Sequence, residues 1–249
     1  MTTGRIHKLE TFGLVDGPGV RCVVFTQGCR MRCRYCHNPE TWNGFEGGTL
    51  YTPQELFSLV YRYKSYWKNN GGVTVSGGEP LLQLDFLTEF FEICSEHHVH
   101  TALDTSGNPF ENTPEYLAKF DRLLAATSIV LLDLKMFDSE GHKKLTRQPN
   151  ENILEMARYI SDKNIPIWVR RVLVPGLTDS DEDLTNTYEF IKTLPSVRRV
   201  EVLPYHAFAI PKWQELGIPY SLTDVLTPTQ KQIKHAEDIL HVKDFPDYS

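Results

Sequence analysis

The sequence predicts an α/β protein, a partial (β/α)6 barrel of parallel strands, on three observations. Short β-branched or apolar runs alternate with amphipathic stretches along the chain. Polar, glycine and proline residues collect just after nearly every apolar run, where parallel α/β folds place their sites. The length of 249 residues suits one large domain or two small ones, and α/β barrels of this size are usually single domains. Six β/α units are too few for a closed eight-stranded barrel, so an open partial barrel or a doubly wound sheet is expected.

The apolar runs place strands at 22–26, 73–75, 101–103, 129–132, 167–173 and 200–203. Between them helices are expected at about 53–69, 85–97, 114–124, 153–163 and 181–194, with a last one at about 229–241. The first has a marked start. Thr52 can cap, Pro53 suits the first helical position and Glu55 completes a capping box. Leu56, Leu59, Val60 and Tyr63 then follow helical spacing. Pro114 and Pro228 stand where two other helices could begin. One domain is expected over 1–249, with a core at about 15–206 and a C-terminal segment at about 207–249 that ends in the last helix.

Each expected strand runs into chemistry. The second leads to Ser76-Gly77-Gly78-Glu79-Pro80 and the third to Asp104-Thr105-Ser106-Gly107. The fourth ends at Asp133-Leu134-Lys135. The fifth carries Arg170 and Arg171, and the sixth ends at Pro204-Tyr205-His206.

Composition narrows the partners. Apolar residues make up 41% of the chain, enough for a sizeable core. The formal net charge of -6 argues against nucleic acid, whose phosphates call for a basic surface. No apolar run approaches the roughly 20 residues that span a bilayer, and residues 1–9 lack the apolar core of a secretory signal. A cytoplasmic monomer with no membrane contact is expected.

Five cysteines occur, at 22, 29, 33, 36 and 94. The count is odd, and Cys29, Cys33 and Cys36 lie in one short loop directly after the first strand, which reads as a metal or cluster site. Thiolates are the usual ligands of iron–sulfur clusters. Three of them on a four-iron cubane would leave one iron open, as a catalytic metal requires. A zinc knuckle formed by Cys29, Cys33, Cys36 and His37, in a module without catalysis, is the alternative of another class.

The Cys29-x3-Cys33-x2-Cys36 spacing, with Tyr35 before the last cysteine, resembles the signature of the radical S-adenosylmethionine superfamily. Ser76-Gly77-Gly78-Glu79-Pro80 lies where that superfamily has its Gly-Gly-Glu motif. Further stretches resemble its glycyl-radical-enzyme activating family, in the branch that acts on pyruvate formate-lyase. They include Gly4-Arg5-Ile6-His7, Asp16-Gly17-Pro18-Gly19-Val20-Arg21, Tyr35-Cys36-His37-Asn38-Pro39-Glu40-Thr41-Trp42 and Leu203-Pro204-Tyr205-His206. Between Cys36 and Gly77 there is no cysteine, so the ferredoxin-like insert of many other activators is missing.

The resemblance implies a [4Fe–4S] cluster held by Cys29, Cys33 and Cys36, with S-adenosylmethionine on the open iron. It implies reductive cleavage to a 5′-deoxyadenosyl radical that takes a hydrogen from a glycine Cα of pyruvate formate-lyase. Flavodoxin or ferredoxin would supply the electron. A radical enzyme acting on another glycyl-radical enzyme or on a small molecule is the nearest alternative. Tyr35, Cys36 and His37 would lie near the adenine, and Gly78 and Glu79 would hold the methionine amino group. Asp104 would sit near the carboxylate end, where two facing carboxylates call for a cation, here a monovalent one. Asp133, Leu134 and Lys135 would contact ribose and carboxylate, Arg170 an anionic part of the cofactor, and His206 the adenosine. Asp16, Gly17, Pro18 and Gly19 would form a flexible loop gripping the peptide substrate.

Other clusters read as structural. Arg30, Arg32 and Arg34 suit a solvated loop, and His97, His98 and His100 a helix end entering a strand. Asp179, Asp181, Glu182 and Asp183 suit a helix N-terminus, and Cys22 and Cys94 suit packed free thiols.

Overall fold

A computed structural model describes residues 2–44, 46–68 and 70–245. Eight strands form one sheet: β1 Gly4–Gly13, β2 Arg21–Thr26, β3 Thr49–Tyr51, β4 Gly72–Gly77, β5 His100–Thr105, β6 Ile129–Asp133, β7 Ile167–Leu173 and β8 Val197–Pro204. Their spatial order is β3-β1-β2-β4-β5-β6-β7-β8. From β2 to β8 every pairing is parallel. The six expected strands are these six. Neither edge pairs with the other, so the barrel is open.

The helices are α1 Pro53–Val60, α2 Lys64–Trp67, α3 Leu84–Glu96, α4 Pro114–Ala125, α5 Ser139–Thr146, α6 Glu151–Asp162, α7 Asp181–Ile191, α8 Ile210–Glu215 and α9 Gln230–Ile239. The capping box at Thr52 and Glu55 forms as expected. The single helix expected over 53–69 does not: it tightens into a 3₁₀ turn at Tyr61–Tyr63 and resumes as α2, and residue 69 lies outside the described residues. Tyr61 and Tyr63 are mediocre helix formers, and the tighter turn leads to Trp67, which is buried in the core.

Alternation along the strands separates two layers. Val73, Val75, Leu103, Val130, Leu132 and Val169 face the helices in the main core. Ala102, Ile129, Leu131 and Trp168 point the other way and form a small apolar cluster inside the barrel. Further along the same strands, toward their carboxyl ends, the inner positions turn polar: Ser76, Asp104, Asp133 and Arg170. The apolar cluster is thus a floor and the polar layer is the base of a site.

The antiparallel edge was not expected. β1 pairs with β2 and β3, although its sequence mixes charged and apolar residues without a continuous apolar run. Its burial alternates along part of its length, as in a strand with one solvated face.

Candidate active site

The cysteine loop leaves the carboxyl end of β2 and is held from both sides. The main-chain N–H groups of Arg32 and Arg34 donate to Thr146 and Leu145 at the end of α5, at 2.7 and 3.1 Å. Arg32 Nη1 donates back to the carbonyls of Cys29 and Met31 at 2.8 and 2.7 Å, and its guanidinium lies 4.8 Å over the Trp42 ring. Arg32 therefore braces the loop, whereas Arg34 donates to Ser221 Oγ at 3.0 Å.

A cavity of about 240 Å³ opens beneath this loop, far more room than a single water occupies. Its walls include Cys29, Cys33, Tyr35, Cys36 and His37 from the loop, and Ser76, Gly77 and Gly78 from the end of β4. Asp104, Asp133, Lys135 and Arg170 form its base. Cofactor-site residues expected on five separate segments thus meet at one place.

The base is a charge network. Arg170 bonds to the Asp104 carboxylate, and its guanidinium also lies 3.2 Å from Asp133 Oδ1. Ser76 Oγ donates to Asp104 Oδ2 at 2.6 Å, and Lys135 Nζ to Asp133 Oδ2 at 3.1 Å. Burial pushes the Asp104 carboxyl up to about 6 against the pull of Arg170. Burial also works against the charge on Lys135, but the Asp133 carboxylate outweighs it and holds the ammonium well above its ordinary range. Two cations facing two carboxylates, Asp104 buried and Asp133 half-buried, leave the base close to neutral until a ligand arrives.

All three loop thiols are free, and burial raises each of them, Cys36 to about 12. Among the described residues no group of three or more His, Cys, Asp or Glu is close enough to hold one metal ion. A zinc knuckle needs such convergence, so the geometry gives that alternative no support. A cubane places each thiolate on a different iron and asks instead for cysteines spread round a cavity. The donor set suits that group. Tyr35, in the cavity wall, also keeps a buried hydroxyl without a partner.

The Gly-Gly-Glu segment is bolted to the start of the cysteine loop. Gly78 N–H donates to Thr26 and Glu79 N–H to Gly28, at 3.0 and 2.8 Å. Gly77 has φ +105°, and a Cβ on Gly78 would lie 2.2 Å from the Gly28 carbonyl oxygen. Only glycine permits this approach.

Not every expected residue enters the cavity. The Glu79 carboxylate is buried and accepts from Thr105 Oγ1 (2.5 Å), Ser106 Oγ (2.5 Å), Ser106 N–H (3.0 Å) and Leu81 N–H (3.1 Å). It ties the ends of β4 and β5 together. Leu134 packs in the outer core. His206 stands at the rim, its ring stacked on His37 at 4.3 Å.

Asp16, Gly17, Pro18 and Gly19 lie at the opposite end of the barrel, because β2 starts at Arg21 beside the first residues of β4 and β5. Gly17 and Pro18 are buried, and Thr74 Oγ1 donates to the Asp16 carbonyl at 2.7 Å. Burial holds the Asp16 carboxyl above its ordinary range, against the pull of Arg170.

The other clusters sort as structural. His97 and His100 bond to the Ile93 carbonyl and to Arg21, and Cys22 and Cys94 pack in the core. Asp183 does more than favour a helix N-terminus. It is buried, pairs with Arg171 at 2.6 Å and accepts the N–H groups of Phe137 and Asp138.

Sequence reasoning missed the segment beyond Trp213, which carries no motif. It folds back onto the cysteine loop. A buried indole, whose N–H must find an acceptor, was the available signal.

A parallel partial barrel whose first parallel strand feeds a Cys-x3-Cys-x2-Cys loop is the radical S-adenosylmethionine class of protein. Residues 23–191 match the model of the radical SAM superfamily. The chain is 49% identical to the pyruvate formate-lyase-activating enzyme of Streptococcus mutans, over 99% of this chain and 94% of that one. It is 48% identical to the enzyme of that name from Listeria monocytogenes, over 97% and 98%. The chain belongs to the family of pyruvate formate-lyase-activating enzymes within the radical SAM superfamily.

Among solved structures, a domain of a pyruvate formate-lyase-activating enzyme from Bacteroides vulgatus matches with TM-score 0.57 and 26% identity, over 71% of this chain and 96% of that one. SuiB of Streptococcus suis bound to S-adenosylmethionine shares the fold, with TM-score 0.64 and 14% identity over 87% of this chain and 46% of that one. Membership of the superfamily implies a [4Fe–4S] cluster and S-adenosylmethionine.

Proposed function

We propose that this chain activates pyruvate formate-lyase by placing a radical on one of its glycines. When bound, the cluster and S-adenosylmethionine supply a reductive cleavage to methionine and a 5′-deoxyadenosyl radical able to take a glycine Cα hydrogen. The observation that carries the reading is the meeting of three free thiols and a buried, charge-balanced base in one cavity at the carboxyl end of a parallel barrel. The near full-length similarity to activating enzymes supplies the target.

In this reading Cys29, Cys33 and Cys36 would hold the cluster and would leave it one protein ligand short, where the methionine end of the cofactor could bind. The main chain at Ser76, Gly77 and Gly78 receives the amino group. Glu79 serves that job indirectly, by holding the glycine segment against β5. Lys135 and Arg170 offer positive charge to the carboxylate, and Asp133 accepts from a ribose hydroxyl. Tyr35, the Cys36 main chain, His37 and His206 flank the adenine, while Met31 and Trp42 keep water from the cavity. A monovalent cation beside Asp104 belongs to the same proposal. Titration with sodium or potassium salts is expected to change S-adenosylmethionine affinity, and no change would leave Arg170 as the sole counter-charge.

In this reading the Asp16–Gly19 loop would grip the peptide substrate, and since Gly17 and Pro18 are buried it would have to open to do so. Asp16→Ala is expected to abolish activation of the partner enzyme while sparing slow, uncoupled cofactor cleavage. Equal loss of both would remove the loop from substrate binding. One domain carries the whole site, since residues near the C-terminus bond to the cysteine loop. Among the described residues no helix is long and apolar enough to cross a membrane.

The deciding experiment is anaerobic reconstitution with iron and sulfide, then paramagnetic resonance with and without S-adenosylmethionine. The reduced protein should give a cubane signal that changes on adding the cofactor, and a glycyl radical in added pyruvate formate-lyase. A cubane indifferent to the cofactor, or a partner without a glycine signal, would end the proposal.

A further inference from the structure

The segment from Tyr205 to Leu222 crosses back over the cysteine loop and bonds to the main chain of the turn that carries Cys36. The Trp213 indole N–H donates to the Cys36 carbonyl at 2.9 Å. The adjacent Lys212 ammonium reaches the His37 carbonyl at 2.9 Å, Asn38 Oδ1 at 3.1 Å and Glu40 Oε1 at 2.6 Å. The strap is itself anchored. Trp213 is buried, meets Trp42 edge-on at 5.0 Å and lies 5.1 Å from the Tyr220 ring. Tyr205 is fully buried, with its hydroxyl 3.0 Å from that of Tyr220 and 3.3 Å from the Leu222 carbonyl.

These bonds divide the loop into halves. Residues 32–34 are held by the end of α5, through the carbonyls of Thr146 and Leu145. The turn from Cys36 to Glu40 is held by the strap at its start, while Gln27 Nε2 and the Thr41 N–H, which donate to the Glu40 and Asn38 carbonyls at 2.9 and 3.0 Å, hold its end. Within the loop itself, Cys36 N–H reaches only Cys33, at 3.0 Å. A short irregular loop with few internal bonds is mobile unless something outside it supplies them.

We propose that Trp213 and Lys212 are positioning residues for the third cysteine. The indole sets the Cys36 main chain in its cluster-binding place. The ammonium fixes the next turn and neutralises the Glu40 carboxylate beside the cysteine loop. The inference rests on the reading of the three cysteines as cluster ligands. It adds that retention and potential of the cluster depend on a strap far along the chain. Glu40 balances that ammonium, so removing Lys212 uncovers a carboxylate beside the loop, which disfavours the reduced, more negative cluster and lowers its potential.

The test uses the full-length reconstituted protein and two variants. Trp213→Phe keeps an aromatic ring against Trp42 and Tyr220 and deletes the N–H. Lys212→Met keeps the apolar stem and deletes the charge. Iron release to a ferrous chelator and the cluster midpoint potential are measured, with thermal unfolding of the apoproteins alongside. Iron release should quicken about fivefold in Trp213→Phe, the worth of one neutral hydrogen bond. Lys212→Met should also release iron faster and should titrate at a more negative potential. Variants that hold iron like the parent at an unshifted potential overturn the inference, even if their apoproteins melt earlier. If Trp213→Phe does not fold, Lys212→Met decides by the same two measurements. A parent protein that takes up no cubane overturns the cysteine reading and this one with it, whereas a loaded parent with indistinguishable variants overturns this one alone.

Discussion

Arg171 is fully buried between the sheet and the helices, and the Asp183 carboxylate beside it is 5% exposed. Asn at position 183 would leave a guanidinium in the core with only carbonyl partners. Breaking such a pair by removing one member costs about 3–5 kcal/mol. Asp183→Asn should therefore lower the unfolding free energy by that amount in chemical denaturation, and a loss under 1 kcal/mol would mean that Leu134 and Thr178 carbonyls suffice. Arg170, the next residue, faces the other way. Period-two alternation alone sends one arginine into the barrel and its neighbour into the helix layer. That much was legible in the sequence. The partners were not: Asp183 looked like one of several acids at the start of α7, and only the packing of α7 on β7 sets it apart. Glu79 teaches the same lesson from the other side. Its motif was legible, but its four hydrogen bonds turn the carboxylate away from the cavity toward β5.

At the scale of elements, the junction of β4 with the cysteine loop and the end of α5 position the thiols. Gly78 sits so close to Gly28 that a methyl group forces main chain to move at both. Gly78→Ala should weaken S-adenosylmethionine binding by about tenfold or more, since strain of 1–3 kcal/mol falls on the segment that receives the ligand. Calorimetric titration of the reconstituted variant would reveal it, and parental affinity would show that the strand end can shift freely. The α5 helix carries Lys143 and Lys144 and is capped by Arg147, and its last carbonyls hold the cysteine loop beside Arg30. This basic surface next to the thiols suits an acidic electron donor such as flavodoxin or ferredoxin. Replacing Lys143 and Lys144 by Glu should slow reduction by flavodoxin several-fold at low salt, while reduction by a small chemical reductant stays unchanged. Equal rates with both reductants would move the donor elsewhere. Neither β1 nor α5 was foreseen. β1 has mixed polarity, and α5 is short and polar, its helical form depending on the Asp138 cap and on the loop docked at its end.

Across the whole molecule, two histidines are held neutral by the fold. Burial, with Arg21 beside it, pushes His100 down to about 4, and burial, despite its bond to the Gln148 carbonyl, pushes His142 down to about 4. In the unfolded chain both regain the ordinary value near 6.5. Between those limits the unfolded state binds more protons, so stability is full above about pH 6.5 and falls as pH drops toward 4. Each site contributes up to about 3 kcal/mol to that loss. Thermal unfolding from pH 7.5 to 4.5 should show the decline, and His142→Gln should flatten part of it; a parallel profile in the variant would assign the slope to other groups. The six parallel strands, the carboxyl-end site and the three thiols were readable from the sequence, because each depends on local periodicity or on residues close together in the chain. The antiparallel edge, the closing of the barrel floor by the Asp16 loop, the inward turn of Glu79 away from the cavity and the strap over Cys36 were decided only by tertiary structure. Apart from the β1–β2 pairing, they join residues tens to nearly two hundred positions apart, and which buried donor meets which acceptor at such range depends on how the layers pack.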